Sequence, residues 1–190
     1  MSISQKSASK TCVFLLANGF EDIEFVAPWD ILKRGGVDLL SVSIHDTLEV
    51  KSAHELTVKA DVLWSDEWKV GDMLVLPGGG EGTQNLRAHA GVIEAVQKQL
   101  EADRLVAAIC AAPTVLGDAG VIKDRQVTCY PSMATEVETM AAKVLGDAVV
   151  ESDKVITGRG PGVAIDFGFA LLTKLKGEEV AAEVRAQMVF

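Results

Sequence analysis

Apolar and polar positions alternate along this chain in blocks rather than in one continuous pattern. "TCVFLLA" (11–17) is an unbroken apolar run, the mark of a strand covered on both faces. From Glu24 to Arg34 the apolar positions take helical spacing, with Phe25, Pro28, Ile31 and Leu32 on one side and Gly35-Gly36 as the stop. "VDLLSVSI" (37–44) predicts a second strand, and "LEVKSAHELTVKA" (48–60) two short alternating runs around a polar turn, a hairpin at the sheet margin. "DMLVLPGGG" (72–80) predicts a third core strand that runs into glycines, and 83–102 helical material broken near Gly91. "RLVAAI" (104–109) predicts a fourth strand, followed by a helix ending near Gly120. The remainder predicts a short strand at 125–131, a helix at 133–145, a hairpin at 148–158, an apolar-faced helix at 161–177 and a last helix through Val184.

Strand and helix alternating in this way imply a mostly parallel sheet with helices on both faces, a single doubly wound α/β domain over 11–190 behind a frayed tail at 1–10. With 190 residues, the chain can bury about 70% of its unfolded surface. A formal charge of −9 with no Lys/Arg cluster excludes a nucleic-acid surface and favours small-molecule or protein partners. No apolar run approaches the ~18 residues of a membrane span, and the polar start lacks a signal-peptide core, so a cytoplasmic location is expected. Three cysteines, Cys12, Cys110 and Cys129, without CxxC spacing fit reduced thiols. Neither a metal-ligand cluster nor a cofactor fingerprint is present: Gly78 and Gly80 lack the third glycine of a dinucleotide loop, and no Gly-Lys-Ser/Thr follows.

In such sheets, ligands gather outside the carboxyl ends of the strands. "AICAAP" is the first segment there. A single helix through 105–116 would place Pro113 in its interior at a cost of about 3 kcal/mol. A strand ending at Ile109 with Pro113 in the first turn of a new helix avoids that cost and puts Cys110 in the turn, between the small residues Ala108 and Ala112. Unpaired amides and the following helix would then lower the thiol pKa. Pattern alone leaves Cys110 open between a buried small hydrophobe and a displayed nucleophile. "LPGGGEG" offers exposed amides for an oxyanion or, equally, a flexible loop. In "FEDIE", Glu21 and Asp22 are read as acids that favour a helix start, and Glu24 has no partner that the pattern supplies.

Four segments, "GFEDIEFVAPWDILKRGGV", "LPGGGEGTQNL", "AAICAAPTVL" and "TGRGPGVAIDFGFAL", occur in order across residues 11–189 and together resemble the ThiJ/PfpI superfamily in its DJ-one-like branch. The resemblance implies a flavodoxin-like sandwich, related to the class I glutamine amidotransferases, that works without a cofactor and usually as a homodimer. It places a reactive cysteine at Cys110, its acidic partner at Glu24, and amide donors at Gly79 and Ala111. Gly78, His54, Tyr130, Arg159 and Pro161 fall at pocket positions, His54 where a basic residue can approach the partner subunit's site. Arg34 is a further pocket or dimer-surface candidate. The implied activity is on reactive dicarbonyls, as a glyoxalase or deglycase that takes methylglyoxal to lactate; a redox sensor or redox-regulated chaperone whose cysteine becomes sulfinate is the alternative. Ala111 stands where the protease-like branch has histidine, and no histidine follows His89, so protease and amidotransferase activities are set aside. Cys12, Cys129, Trp29, Trp64 and Trp68 are expected to pack, and His45 and His89 to lie on the surface.

Overall fold

A computed structural model describes residues 9–65 and 71–190; Trp68 and the first eight residues of the expected tail lie outside the described residues. The long apolar runs become the centre of a seven-stranded sheet. Its strands are β1 (Thr11–Leu16), β2 (Asp38–Ser43), β5 (Val62–Leu63), β6 (Met73–Leu76), β7 (Leu105–Ile109), β10 (Val149–Ser152) and β11 (Val155–Gly158). They are ordered β10-β11-β7-β6-β1-β2-β5. All pairs are parallel except the edge pair β10–β11. The hairpin expected at 48–60 is a separate two-stranded ribbon, β3 (Glu49–Lys51) against β4 (Thr57–Lys59).

Because β1 is wholly apolar, its alternate residues feed two cores. Cys12, Phe14 and Leu16 face one side with Ile31, Leu32 and Phe167, while Val13 and Leu15 face the other with Leu86, Val92 and Leu116. Helices α1 (Asp22–Arg34), α6 (Ala164–Lys176) and α7 (Glu178–Gln187) cover the first face. Helices α2 (Gly80–Ala88), α3 (Ala90–Glu101), α4 (Pro113–Asp118) and α5 (Ala134–Thr139) cover the second. Phe14 packs edge-on to Phe25 with ring centroids 5.6 Å apart, and Trp29 lies 5.4 Å from Phe14. This aromatic cluster anchors α1 to β1 and so fixes the direction of Glu24.

The helical stretch 83–102 is broken near Gly91 as expected, at His89, whose Nδ1 accepts from the Val92 N–H at 3.3 Å and caps α3. Two expectations shift. The strand expected at 125–131 shrinks to β8 (Gln126–Val127), which pairs with β9 (Lys143–Val144) outside the central sheet. Lys10, assigned to the tail, is held in place: its carbonyl accepts from Asp38 N–H at 2.8 Å and its ammonium lies 3.1 Å from Asp72. Trp29 and Trp64 both pack, and Cys12 is fully buried. Among the described residues, no helix is long and apolar enough to cross a membrane.

Candidate active site

Strand order reverses between β1 and β6, and the residues leaving the carboxyl ends of β1, β6 and β7 meet there. The Cys110 N–H still pairs with Gly158 O at 2.9 Å, extending the β7–β11 ladder by one residue. The chain then turns within Cys110 itself, whose φ is +65°. That left-handed conformation costs a non-glycine residue about 1 kcal/mol or more. It is held from both sides: Tyr130 N–H donates to Cys110 O at 2.8 Å, and Ala112 N–H to Ile109 O at 3.1 Å. Pro113 occupies the first turn of α4, where its missing N–H costs nothing. The elbow expected from Pro113 is therefore present.

Helix α1 brings Glu24 to this turn from the core face against which Cys110 itself packs. Its entry loop is pinned: Gly19 N–H donates to Lys51 O at 2.7 Å, Asn85 Nδ2 to Asn18 O at 2.9 Å, and Glu21 N–H to Gly78 O at 3.0 Å. Glu24 is fully buried, and its Oε2 accepts from the Gly78 N–H at 2.9 Å. Its Oε1 has no nitrogen or oxygen partner among the described residues. The Cys110 thiol is the remaining polar neighbour of that carboxyl. A side chain at Gly78 would force its neighbours to shift: a Cβ would sit 2.5 Å from Glu24 Oε2 and 2.7 Å from Cys110 Cβ. Gly79 has φ +93°, a conformation that glycine adopts without penalty, and its N–H is a donor to the Cys110 sulfur.

Burial raises the Glu24 carboxyl to about 7, with the charge of Glu21 adding to the rise, against the lowering pull of the Cys110 and Gly78 hydrogen bonds. The Cys110 thiol is also pushed up, to about 12, first by burial and then by the Glu24 charge. The N–H groups of Gly79 and Ala111 pull it down without cancelling that rise. The expected lowering of the thiol is thus overturned. Half-burial beside a carboxylate outweighs two amides, and α4 is only one and a half turns long. Burial raises both acids, and the charge of Glu24 adds to the rise at Cys110, so the pair resists losing both protons.

Cys110, Glu24, Gly78, Gly79 and Ala111 are therefore brought to one point. Tyr130, Arg159 and Pro161 gather next to it around a shallow groove of about 260 Å³ that includes Gly160 and Val163. Arg159 is turned aside there, its guanidinium donating to Gly146 O at 2.8 Å. His54 is not at the thiol. Its Nδ1 lies 2.9 Å from Asp22 Oδ2 and 3.6 Å from Glu21 Oε1, at the start of α1. Arg34 pairs with Asp30 at 2.8 Å near the far end of the same helix. Cys129 is buried and its thiol raised to about 11 by that burial, which fits packing. His45 is half-buried, its Nε2 accepting from Asn18 N–H at 2.9 Å. All three cysteines are free. Glu21 is the residue that sequence reading undervalued: its charge reaches Glu24 because its backbone is tied to Gly78, a contact that no local pattern signals.

Comparison with known proteins agrees with this architecture. Residues 10–174 match the DJ-1/PfpI family. The chain is 32% identical to Protein DJ-1alpha of Drosophila melanogaster over 98% of this chain and 87% of the relative. It is 35% identical to the glutathione-independent glyoxalase DJR-1.2 of Caenorhabditis elegans, over 91% of this chain and 92% of that one. The solved structure of oxidized Toxoplasma gondii DJ-1 superposes with a TM-score of 0.90 at 29% identity, covering 96% of this chain and 99% of that one. With a family match over most of its length and relatives above 30% identity, the chain belongs to the DJ-1/PfpI family.

Proposed function

We propose that this protein is a cofactor-independent cysteine enzyme that converts small reactive dicarbonyls, methylglyoxal to lactate among them, to 2-hydroxy acids. The carrying observation is the convergence of a thiol, a carboxyl raised to about 7 and two backbone N–H groups on one strand end. A family relative that is a glutathione-independent glyoxalase supports the substrate class.

The chemistry follows from that pair of acids. Cys110 passes its proton to Glu24, and the thiolate adds to the aldehyde carbon, converting its C=O to an oxyanion beside the Gly79 and Ala111 amides. After the oxyanion takes up a proton, Glu24, again ionised, removes the hydrogen of that carbon and returns a proton to the neighbouring ketone carbon through an enediol. The aldehyde carbon is thereby oxidised to a thioester while the ketone is reduced to an alcohol, so no outside oxidant is needed. Water then cleaves the thioester, releasing the 2-hydroxy acid and restoring the thiol. In an early amine adduct the aldehyde carbon is a carbinolamine, so the thiolate takes the place of the amine, forming C–S as C–N breaks; the amine leaves with the proton held by Glu24, and the same hemithioacetal results, which is the deglycase form of this activity.

The unpartnered Glu24 Oε1 favours one second reading. A protonated Glu24 can donate to a Cys110 sulfinate, as an oxidative-stress sensor or redox-regulated chaperone requires. Assembly as a homodimer is part of both readings, and exposed Ile23 and Val26 on α1 support it.

The deciding measurement is lactate formed from methylglyoxal by protein cleared of contaminating glyoxalases. Wild type is expected to turn over and Cys110→Ser to fall to background. Equal rates in the two proteins would overturn the enzyme reading. Stoichiometric sulfinate at low peroxide without lactate would establish the sensor instead.

A further inference from the structure

The backbone donors that Cys110 receives stand at the heads of three helices. The Gly79 and Ala111 N–H groups donate to its sulfur, and Tyr130 N–H donates to its carbonyl oxygen at 2.8 Å. Each of the three residues is bonded toward the helix that follows it. Gly79 O accepts from Thr83 N–H at 2.9 Å in α2. Ala111 O accepts from Thr114 N–H at 3.1 Å and from the Thr114 hydroxyl at 2.7 Å in α4. Tyr130 O accepts from Met133 N–H at 2.8 Å, one residue before α5. Where the three donors point is therefore set by where α2, α4 and α5 lie.

One side chain joins those helices. Arg87 occupies the last turn of α2. Its Nε and Nη2 donate to the two carboxylate oxygens of Asp118, the last residue of α4, at 2.6 and 3.1 Å. Its Nη1 donates to Glu136 Oε1, in the first turn of α5, at 2.7 Å. The Arg87 side chain is 29% exposed, and a bidentate fork of this kind fixes direction as well as distance. Leu86, Leu116 and Val137 from the same helices share one apolar core, but apolar burial is non-directional. Helix α2 is in turn fixed to the loop that leads to Glu24, with Gly82 N–H on Gly19 O at 3.1 Å and Asn85 Nδ2 on Asn18 O at 2.9 Å.

We infer that Arg87 is a positioning residue for the Cys110 site: its forked bonds carry the anchorage of α2 to α4 and α5, and so hold the N–H groups of Gly79, Ala111 and Tyr130 in register around the cysteine. For lactate formation this rests on the function proposed above. For thiol reactivity it needs only Cys110.

The test measures lactate formation from methylglyoxal beside alkylation by iodoacetamide, in which the thiolate displaces iodide and C–S forms as C–I breaks. Arg87→Met should lower kcat for lactate roughly three- to tenfold with KM unchanged, a fraction of the ~10²–10³ that outright loss of an oxyanion donor costs. Alkylation of Cys110, followed by peptide mass spectrometry, should slow by a similar factor, because misaligned amides stabilise the thiolate less. A merely structural role has the opposite signature: general loosening would speed Cys110 alkylation and open the buried Cys12 and Cys129 with it. Arg87→Lys, which keeps the charge without the fork, should recover part of both rates. Asp118→Asn, which keeps the guanidinium, should move both rates in the same direction and add little to Arg87→Met. Arg125 is the matched control, 28% exposed and paired with Asp153 at 3.2 Å at the amino end of the sheet. Arg125→Met should leave both rates at the wild-type level. Unchanged rates in Arg87→Met, faster alkylation at all three cysteines, or an equal loss in Arg125→Met would each overturn the positioning role. Equal lactate formation by wild type and Arg87→Met sinks that role and spares the enzyme. Slowed Cys110 alkylation in Arg87→Met, with no lactate from wild type, does the reverse.

Discussion

The two ends of the central sheet are made by the same strands, yet they treat polar groups in opposite ways. At the amino end, a groove of about 480 Å³ is lined by Lys10, Asp72, Asp103, Arg104, Asp153 and Lys154. Its charges are matched: Lys10–Asp72 at 3.1 Å, Lys154–Asp103 at 3.2 Å and Arg125–Asp153 at 3.2 Å. At the carboxyl end, Cys110 stands at φ +65° and Glu24 keeps a buried oxygen without a conventional partner. Left-handed residues and an unpartnered buried oxygen occur at the amino end as well, in Asp103 and Asp153 at φ +57° and in Gln99 Oε1, so what sets the carboxyl end apart is that its strained residue is a thiol beside a buried carboxyl. Cys12 in β1 and Cys110 just past β7 sharpen the contrast. Burial raises both Cys12 and Cys110. Cys12 has only the repelling charge of Asp72 beside it, whereas Cys110 has two amides and a carboxyl able to take its proton. A raised thiol is inert in the first setting and one of a pair of acids in the second.

The largest break of this comparison is Glu24→Gln. Losing the proton acceptor should lower lactate formation by about 10²–10⁴-fold, while protein folding is retained because the amide can still accept from Gly78. The same variant tests linkage. In the folded state Glu24 is raised from 4.5 to about 7, so the native protein binds this proton more tightly than the unfolded chain. The resulting stability is fully present below pH 4.5 and is lost as the pH rises to about 7. Its size is on the order of 2–4 kcal/mol. Denaturant midpoints across that window should decline with pH in wild type and flatten in Glu24→Gln; parallel curves would show that the carboxyl is not perturbed.

Next in size is a pair of glycine substitutions two residues apart. Gly78→Ala places a methyl group among Glu24 Oε2, Cys110 Cβ and Ile109 O, all within 2.8 Å, whereas a Cβ at Gly80 meets nothing within 4 Å. Gly78→Ala should lose about 1–3 kcal/mol of stability, the range for overpacking, together with most thiol reactivity. Gly80→Ala, in the first turn of α2, should change neither. Equal behaviour of the two in urea melts would mean that the close approach at Gly78 is relaxed without cost.

The sequence made the architecture legible because strand and helix periodicity are local, and Pro113 made the elbow legible because proline is costly inside a helix. Glu24 meeting Cys110 was not legible from pattern: the two lie 86 positions apart on different elements, and only the four-segment resemblance joined them. The direction of the thiol shift was misjudged for the same reason, since amides following Cys110 are local while its burial and the Glu24 charge come from distant chain. His54 was placed by resemblance at a partner's site. Its bond to Asp22 depends on how the β3–β4 ribbon docks beside α1, which neither segment encodes alone.

The smallest expected effect belongs to the amino end and completes the contrast. Lys10→Met removes the ammonium from Asp72, but the Lys10 and Asp72 side chains are 43% and 38% exposed. Exposed pairs of this kind contribute roughly 0–1 kcal/mol. Asp72 retains the Thr11 N–H at 2.9 Å, so no buried acceptor is orphaned. The melting midpoint should therefore move slightly, lactate formation and the rate of Cys110 alkylation by iodoacetamide not at all. A clear loss of Cys110 reactivity in Lys10→Met would mean that the charged amino end supports the thiol through β1, and that the two ends of the sheet are one coupled unit rather than a stabilising end and a reactive one.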